Sequence, residues 1–388
     1  MRVLYLTPGC FDKGGISRYS RYQIRALRDL LGADNVSVLS LLGPGDDSFE
    51  EPFEVDWHGS GADSRSKLEL VARASSLAAK LRPDAVHVAH VNFAGLARCL
   101  GSAVKATVIL NVYGLEVWSG FRPDAEWGLR RADLVVSDCH FTASYLLEAG
   151  LRSVAPTVIW DCVDLDSFTP KQPSPAVLAR YGLPDPALGV NLLTLGRMQP
   201  GAEHKGYDRL YQVFRRVAPE LPELSLIFAG RGTLADELRE QARRDGLAER
   251  VHFTGMVHED DLPDIYRAAS IFSLVSDRGV GRGEGIPLTP LEASACGAPI
   301  LVGDHDGSQE AVVHGVNGFV LDPFDLDEHA RRLVELARSP ELRARMGSAA
   351  RRRVEAEFGY PKFRERHRQL LRRWFPATAP SAVEQSSA

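Results

Sequence analysis

Glu284 and Glu292 stand with seven residues between them in the segment Glu284-Gly285-Ile286-Pro287-Leu288-Thr289-Pro290-Leu291-Glu292. One carboxylate on a loop and a second on the first helical turn suit contacts to sugar and ribose hydroxyls, while the helix N-terminus attracts phosphate. A plainer reading covers Glu292 without any ligand. Thr289 is a good N-cap, Pro290 suits the first helical position, and Glu292 completes a Thr-x-x-Glu capping box. Upstream, Arg197 and Lys205 bracket the loop Gly196-Arg197-Met198-Gln199-Pro200-Gly201-Ala202-Glu203-His204-Lys205-Gly206. Two fixed cations there suit a diphosphate, Arg as a fork and Lys as a point charge. Such cations stabilise negative charge that grows on a leaving phosphate. The alternative is two solvated loop charges, but lysine is scarce here: only seven of the 46 basic residues. Background usage therefore explains Lys205 less well than it explains an arginine. A third element, Lys13-Gly14-Gly15-Ile16, lets backbone amides approach a ligand closely, or simply makes a tight turn. It is not a dinucleotide fingerprint, because GxGxxG is absent there.

These residues need elements to hold them. Short aliphatic and β-branched runs recur: Val3–Thr7, Val36–Leu42, Ala85–His90, Thr107–Val112, Leu134–Asp138 and Thr157–Trp160, then Asn191–Gly196, Leu224–Gly230, Val251–Gly255, Ile271–Ser276, Pro299–Gly303 and Gly318–Asp322. Most are continuously apolar, which suits strands covered on both faces. Helical stretches fall between them; Ile16, Tyr19, Gln23, Ile24, Leu27, Leu30 and Leu31 approximate one helix face. Alternating strand and helix predicts an α/β chain of two doubly wound parallel-sheet domains facing each other across a cleft, with ligands at the carboxyl ends of strands. The expected divisions are an N-terminal Rossmann-like domain over 1–165 and a proline-rich linker over 166–188. A C-terminal Rossmann-like domain over 189–357, a helix over 358–375 returning to the N-terminal domain, and a disordered tail over 376–388 complete the chain.

Composition limits the function classes. The 388 residues are 44% hydrophobic and 25% charged, which excludes a disordered whole. The net charge of −5 argues against nucleic acid as a partner. No apolar run reaches the roughly 18 residues of a membrane span, and Met1–Thr7, broken by Pro8-Gly9, does not read as a signal peptide. Five scattered cysteines without a CxxC pair suit a reducing compartment, so a cytoplasmic enzyme is the expectation. Asp-x-Asp recurs at Asp164, Asp304 and Asp325 and marks no metal site, and no nucleophile motif is present. The basic stretch with Arg351-Arg352-Arg353 and Lys362 to Arg373, ending in Trp374-Phe375, reads either as a peripheral anchor on the inner face of a membrane or as a solvated helix.

The E-x7-E pair resembles that of the retaining glycosyltransferases of family 4. So do Gly14-Gly15, Asp164-x3-Phe168-x-Pro170, Gly196-Arg197 with Lys205-Gly206, Val251-x-Phe253-x-Gly255-x-Val257, Glu292-Ala293-x2-Ala295-Cys296-Gly297-x-Pro299 and Glu310-x3-His314-Gly315-x2-Gly318. The set runs in order almost end to end. The resemblance implies a GT-B fold and transfer of a sugar, with retention, from a nucleoside diphosphate to a hydroxyl acceptor. UDP-sugars lead as donors, and the acceptor is a glycan, a lipid-linked or a small molecule. No cofactor or metal is implied. Arg197 and Lys205 would bind the diphosphate, Glu292 the ribose, and Glu284 would lie beside the sugar. Backbone near Gly230, Arg231, Met256 and Val257 would meet the base, and Leu288 and Thr289 the phosphates. Gly14 and Gly15 would approach phosphate or acceptor.

The chain departs from the family pattern in several places. Tyr113, in Asn111-Val112-Tyr113-Gly114, stands where a His near the sugar is common, and a phenol is a poorer proton acceptor. Pro287 replaces a usual Gly, and Asp161-Cys162 a usual Asn-Gly. The long Arg197–Lys205 loop leaves His204 as an alternative partner to Lys205, and the Gly-rich run Arg278–Gly283 either shapes sugar specificity or is mobile. Other readings are a GT-B epimerase or phosphorylase, and a degenerate nucleotide-sugar-binding protein.

Overall fold

A computed structural model describes residues 1–46, 48–49, 53–279 and 282–376. The tail expected to be disordered lies outside the described residues from position 377 on, as do Val280 and Gly281 of the glycine-rich run. The chain divides into two units, Met1–Cys162 with the chain from Tyr360 on, and Val163–Gly359.

The first unit holds a seven-stranded sheet. Its strands are β1 (Val3–Thr7), β2 (Val36–Ser40), β3 (Trp57–His58), β4 (Ala85–Val88), β5 (Thr107–Val112), β6 (Leu134–Ser137) and β7 (Thr157–Val158). The order is β3-β2-β1-β4-β5-β6-β7, and every pairing is parallel. β1 shows why its sequence is uniformly apolar. Leu4 and Leu6 enter one buried cluster and Val3 and Tyr5 another, so both faces of the strand are covered. β3 was not legible in the sequence, since it is only two residues long. The helix Gly15–Leu31 buries Tyr19, Gln23, Ile24, Leu27 and Leu30 against the sheet.

The second unit holds β8 (Val190–Leu195), β9 (Leu224–Ala229), β10 (Val251–Gly255), β11 (Ile271–Leu274), β12 (Ile300–Gly303) and β13 (Gly318–Leu321). Their order is β10-β9-β8-β11-β12-β13, again all parallel. Strand order reverses between β8 and β11.

One expectation about the connecting segments changes. Residues 166–188 are folded onto the second unit rather than forming a linker. Within them the helix Pro175–Tyr181 is fixed by Arg180 and Tyr181, which bond the buried Asp261 carboxylate at 2.6 and 2.8 Å. Prolines there start and stop local structure instead of spacing domains. The basic stretch is two helices, Pro340–Glu357 and Tyr360–Trp374. Arg351 and Arg353 donate to the backbone carbonyls of Phe168, Ala295, Glu310 and Ala311, so these guanidiniums brace the second unit and are not presented to a surface ligand. The helix Tyr360–Trp374 belongs to the first unit. Phe363, Leu370 and Leu371 are buried there, and Phe375 packs on the same cluster. No helix among the described residues is long and apolar enough to cross a membrane.

Candidate functional site

The β8 exit loop, Gly196–Gly206, and the β11 exit, from Val275 to Glu284, meet at the point where strand order reverses. Close backbone approach makes the meeting tight. Gly206 has φ +71°, and a Cβ there would lie 2.8 Å from the Val275 carbonyl oxygen. The Asp277 N–H donates to the His204 carbonyl at 2.8 Å. Arg209 donates to the same carbonyl at 3.2 Å and pairs with Asp277 at 3.1 Å. Both loops are therefore pinned where the helix Tyr207–Val217 begins.

This pinning brings Lys205 and Glu284 into contact. Lys205 Nζ donates to Glu284 Oε1 at 2.5 Å, and His204 Nε2 lies 3.2 Å from the same oxygen. Burial pushes the Glu284 carboxyl up, but the Lys205 ammonium and the His204 imidazole outweigh it and hold the group down at about 2. The site thus presents a carboxylate that stays ionised and a lysine already neutralised by it. The His204 Nδ1 is buried without a partner.

Arg197 is exposed, and its guanidinium pairs with no carboxylate among the described residues. The Lys205 chain passes beside Gly196, where a Cβ would sit 3.7 Å from Lys205 Cδ. Gly230 has φ +125°, and a Cβ on it would lie 2.1 Å from the Gly196 carbonyl oxygen, so only glycine lets the β9 exit touch the β8 exit. The exposed Arg231 follows, its carbonyl accepting from Met198 N at 3.1 Å. Gly230 N donates to the Gly255 carbonyl at 3.1 Å, which places Met256 and Val257 next to this corner. Arg197, Lys205, Glu284, Gly230, Arg231, Met256 and Val257 are therefore carried by four neighbouring strand ends of one sheet.

The capping box does not form. The helix begins at Leu288, with Pro287 at its N-cap and no side-chain cap. Thr289 is one residue inside, too far along for its hydroxyl to cap. Glu292 is 3% exposed and its Oε2 accepts from Tyr266 OH at 2.6 Å. A tertiary partner 26 residues upstream, not the local pattern, sets its orientation.

In the first unit, Gly14 is the extended N-cap of the helix Gly15–Leu31 and donates to Asp12 Oδ1 at 2.8 Å; both Gly14 and Gly15 are exposed. Tyr113 does not have the setting expected of a catalytic group. Its ring sits in a buried cluster, and its hydroxyl accepts from Asn111 Nδ2 at 3.1 Å. Asn111 also bonds Gln23 and His87, both buried. Burial raises the phenol well above its usual range, which removes it as a proton acceptor.

Sequence reasoning missed Asp306, Ser276 and Ser308. In the sequence Asp306 is only the second half of the Asp-x-Asp pattern at Asp304. It is fully buried and accepts from Ser276, Ser308 and the backbone of Glu284. Asp304, His305 and Asp322 form the one group among the described residues with metal-ligand spacing. His305 Nε2 lies 3.5 and 3.8 Å from the Asp304 and Asp322 carboxylates.

The family model for glycosyl transferases group 1 matches residues 191–353, and that for glycosyltransferase family 4 matches residues 13–167. A GDP-mannose-dependent alpha-(1-6)-phosphatidylinositol monomannoside mannosyltransferase of Mycolicibacterium smegmatis is 32% identical over 63% of this chain and 64% of its own length. The monoacylated-substrate counterpart from Corynebacterium glutamicum is 31% identical over 72% of this chain and 74% of its own. Among solved structures, Anabaena HepE in complex with UDP superposes with a TM-score of 0.77 at 20% identity, covering 96% of this chain and 99% of that one. Two parallel-sheet units with matches across both halves make this a chain of GT-B architecture, and it belongs to glycosyltransferase family 4, the glycosyl transferases group 1.

Proposed function

We propose that this chain transfers a sugar, with retention, from a nucleoside diphosphate to a hydroxyl acceptor. The observation that carries the reading is the Lys205–Glu284 contact at the strand-order reversal, with His204 on the same oxygen and the unpaired Arg197 on the same loop. In this reading an incoming diphosphate draws Lys205 away from Glu284 and completes its charge with Arg197. As the sugar C1–O bond to the diphosphate breaks, its electron pair goes to the diphosphate, where both cations stabilise it, while the acceptor hydroxyl oxygen bonds C1 on the same face and passes its proton to the departing phosphate oxygen. Glu284, released from Lys205 with His204 still beside it, faces the sugar hydroxyls. Glu292 takes the ribose, which requires it to exchange or share its bond to Tyr266. The amides at Leu288 and Thr289 take phosphate oxygens, and the corner at Gly230, Arg231, Met256 and Val257 takes the base. Gly14 and Gly15 serve the acceptor side. Tyr113 supports Asn111 and moves no proton.

The curated relatives bear names with GDP-mannose as donor and a phosphatidylinositol mannoside as acceptor, whereas the fold neighbour was crystallised with UDP. The donor assay therefore has two arms. Purified protein is given GDP-mannose or UDP-glucose with an acceptor panel of inositol phosphate, phosphoinositide and simple glycans, in the presence of EDTA. One nucleoside diphosphate should be released together with a glycosylated product of unchanged anomeric configuration. Lys205→Ala should lower turnover by about 10²–10³-fold, as for loss of one preorganised charge stabiliser. Nucleotide binding without product from any acceptor would favour the non-catalytic binder, and a need for orthophosphate would indicate a phosphorylase.

A further inference from the structure

We infer that Asp306 is a positioning residue that grips the main chain of Glu284 and fixes where its carboxylate points; the inference deepens the functional reading above and rests on it for its kinetic part. Asp306 Oδ2 accepts the Glu284 N–H at 3.0 Å, and the next residue, Gly307, donates its N–H to the Glu284 carbonyl at 3.0 Å. Both polar groups of the Glu284 backbone are thus held by one two-residue turn beyond β12.

The turn is itself braced. Asp306 Oδ2 also accepts from Ser276 Oγ at 2.8 Å, and Oδ1 accepts from Ser308 N at 3.0 Å and from Ser308 Oγ. Ser276 and Ser308 hydroxyls lie 2.9 Å apart. Ser276 leaves β11, and a Cβ on Gly303, the last residue of β12, would come within 2.0 Å of its carbonyl oxygen. The ends of β11 and β12 and the loop carrying Glu284 are therefore joined through a single carboxylate.

Among the described residues all partners of Asp306 are neutral donors, and its side chain touches no cation. Burying a carboxylate without a cation is unfavourable, and burial pushes this one up to about 6, with Ser308 pulling it down and Glu284 adding to the rise. Bracing alone would be met at lower cost by neutral side chains. What a carboxylate adds is acceptance on both oxygens at once, Glu284 and Ser276 on one side and Ser308 on the other. A catalytic carboxylate held to within a fraction of an ångström needs support of this kind, since a displacement of about 1 Å costs on the order of 10²-fold in rate.

Asp306→Asn keeps the shape but turns an NH₂ toward one of these donor pairs. Ser276→Ala removes a bond to the same oxygen and leaves the grip on Glu284 intact. Three readouts are taken on both variants at mildly alkaline pH: hydrogen exchange of the peptide containing the Glu284 amide, affinity for GDP and UDP, and kcat and KM for nucleotide release from GDP-mannose and UDP-glucose. In Asp306→Asn the Glu284 amide should exchange roughly 10-fold faster, for loss of about one hydrogen bond. Nucleotide affinity and KM should stay within about 3-fold while kcat falls on the order of 10- to 100-fold. Ser276→Ala should keep its kcat within about 3-fold of the parent even where its stability falls comparably. Should Asp306→Asn not fold, Gly307→Pro removes only the donor to the Glu284 carbonyl. The backbone there is compatible with proline, because Gly307 opens a 3₁₀ turn and Asp306 before it is extended at φ −150°, ψ −168°. It should show the same kcat-selective loss. Unchanged Glu284 exchange, or an equal kcat loss in Ser276→Ala, overturns the assignment. If the parent protein itself turns over neither donor, the functional reading fails while the exchange experiment still decides the grip.

Discussion

Lys205 and Glu284 meet in the second unit, and their contact makes a pH prediction. The Glu284 carboxyl is held at about 2, below the 4.5 of an unperturbed glutamate, because Lys205 and His204 overcome its burial. A depressed carboxyl contributes stability that is present above the unfolded value and lost as pH falls through the folded one, here between 4.5 and about 2. Lys205→Ala leaves the carboxylate desolvated with only His204 beside it, so its proton affinity rises. About a fifth of each side chain remains exposed, so the loss at neutral pH should be about 1–3 kcal/mol, below the range for a fully buried pair. Thermal unfolding of parent and variant across an acid series should show the gap narrowing as pH falls through 4.5 toward 2. A gap independent of pH would mean that the contact carries no ionic weight. At this scale residue type and loop placement single out Lys205, Arg197 and Glu284 as candidates in the sequence. They do not single out Asp306, whose meaning comes from Glu284, Ser276 and Ser308 arriving from separate loops.

Elements were legible where covering on both faces forces a continuous apolar run. β1, β5 and β10 match their runs residue for residue, and the other matched strands end within one or two residues of them. Legibility failed where a partner lay far away in sequence. Residues 166–188 carry prolines that signal a connector, yet Arg180 and Tyr181 find Asp261, and the segment folds onto the second unit. Glu292 satisfied a capping pattern but is held by Tyr266 instead. The helix Tyr360–Trp374 shows the same principle in a favourable case. Its basic residues suggest a surface, while Phe363, Leu370 and Leu371 form a buried stripe that packs with Tyr19 in the first unit. Leu371→Ala should therefore destabilise the protein by about 2–5 kcal/mol, whereas Trp374→Ala, 40% exposed at the end of the same helix, should fall within about 0.5 kcal/mol of the parent. Urea unfolding curves of the two variants compare them directly, and equal losses would show that the helix is not anchored through this stripe.

At the scale of the whole chain, the cysteines report separately on the two units. None of the five is in a disulfide; Cys99 is exposed, and the other four are buried. Cys10, Cys139 and Cys162 lie in the first unit and Cys296 in the second. Cys296 follows the helix Leu288–Ala295, and burial pushes its thiol up to about 12, so it reacts only when that region opens. A native protein treated with a thiol reagent should modify Cys99 rapidly and the remaining four slowly. A nucleoside diphosphate that binds the pinned loops of the second unit stabilises that unit over its open form, by about 2.7 kcal/mol at 100 times Kd. Opening then becomes roughly 100-fold rarer, and labelling of Cys296, followed by peptide mass spectrometry, should slow by that factor with the cognate nucleotide alone. Comparing GDP with UDP in this assay identifies the base without an acceptor in hand. Cys296 labelling that ignores both nucleotides, in a protein shown to bind one of them, would place the nucleotide away from the loops that carry Lys205 and Glu284.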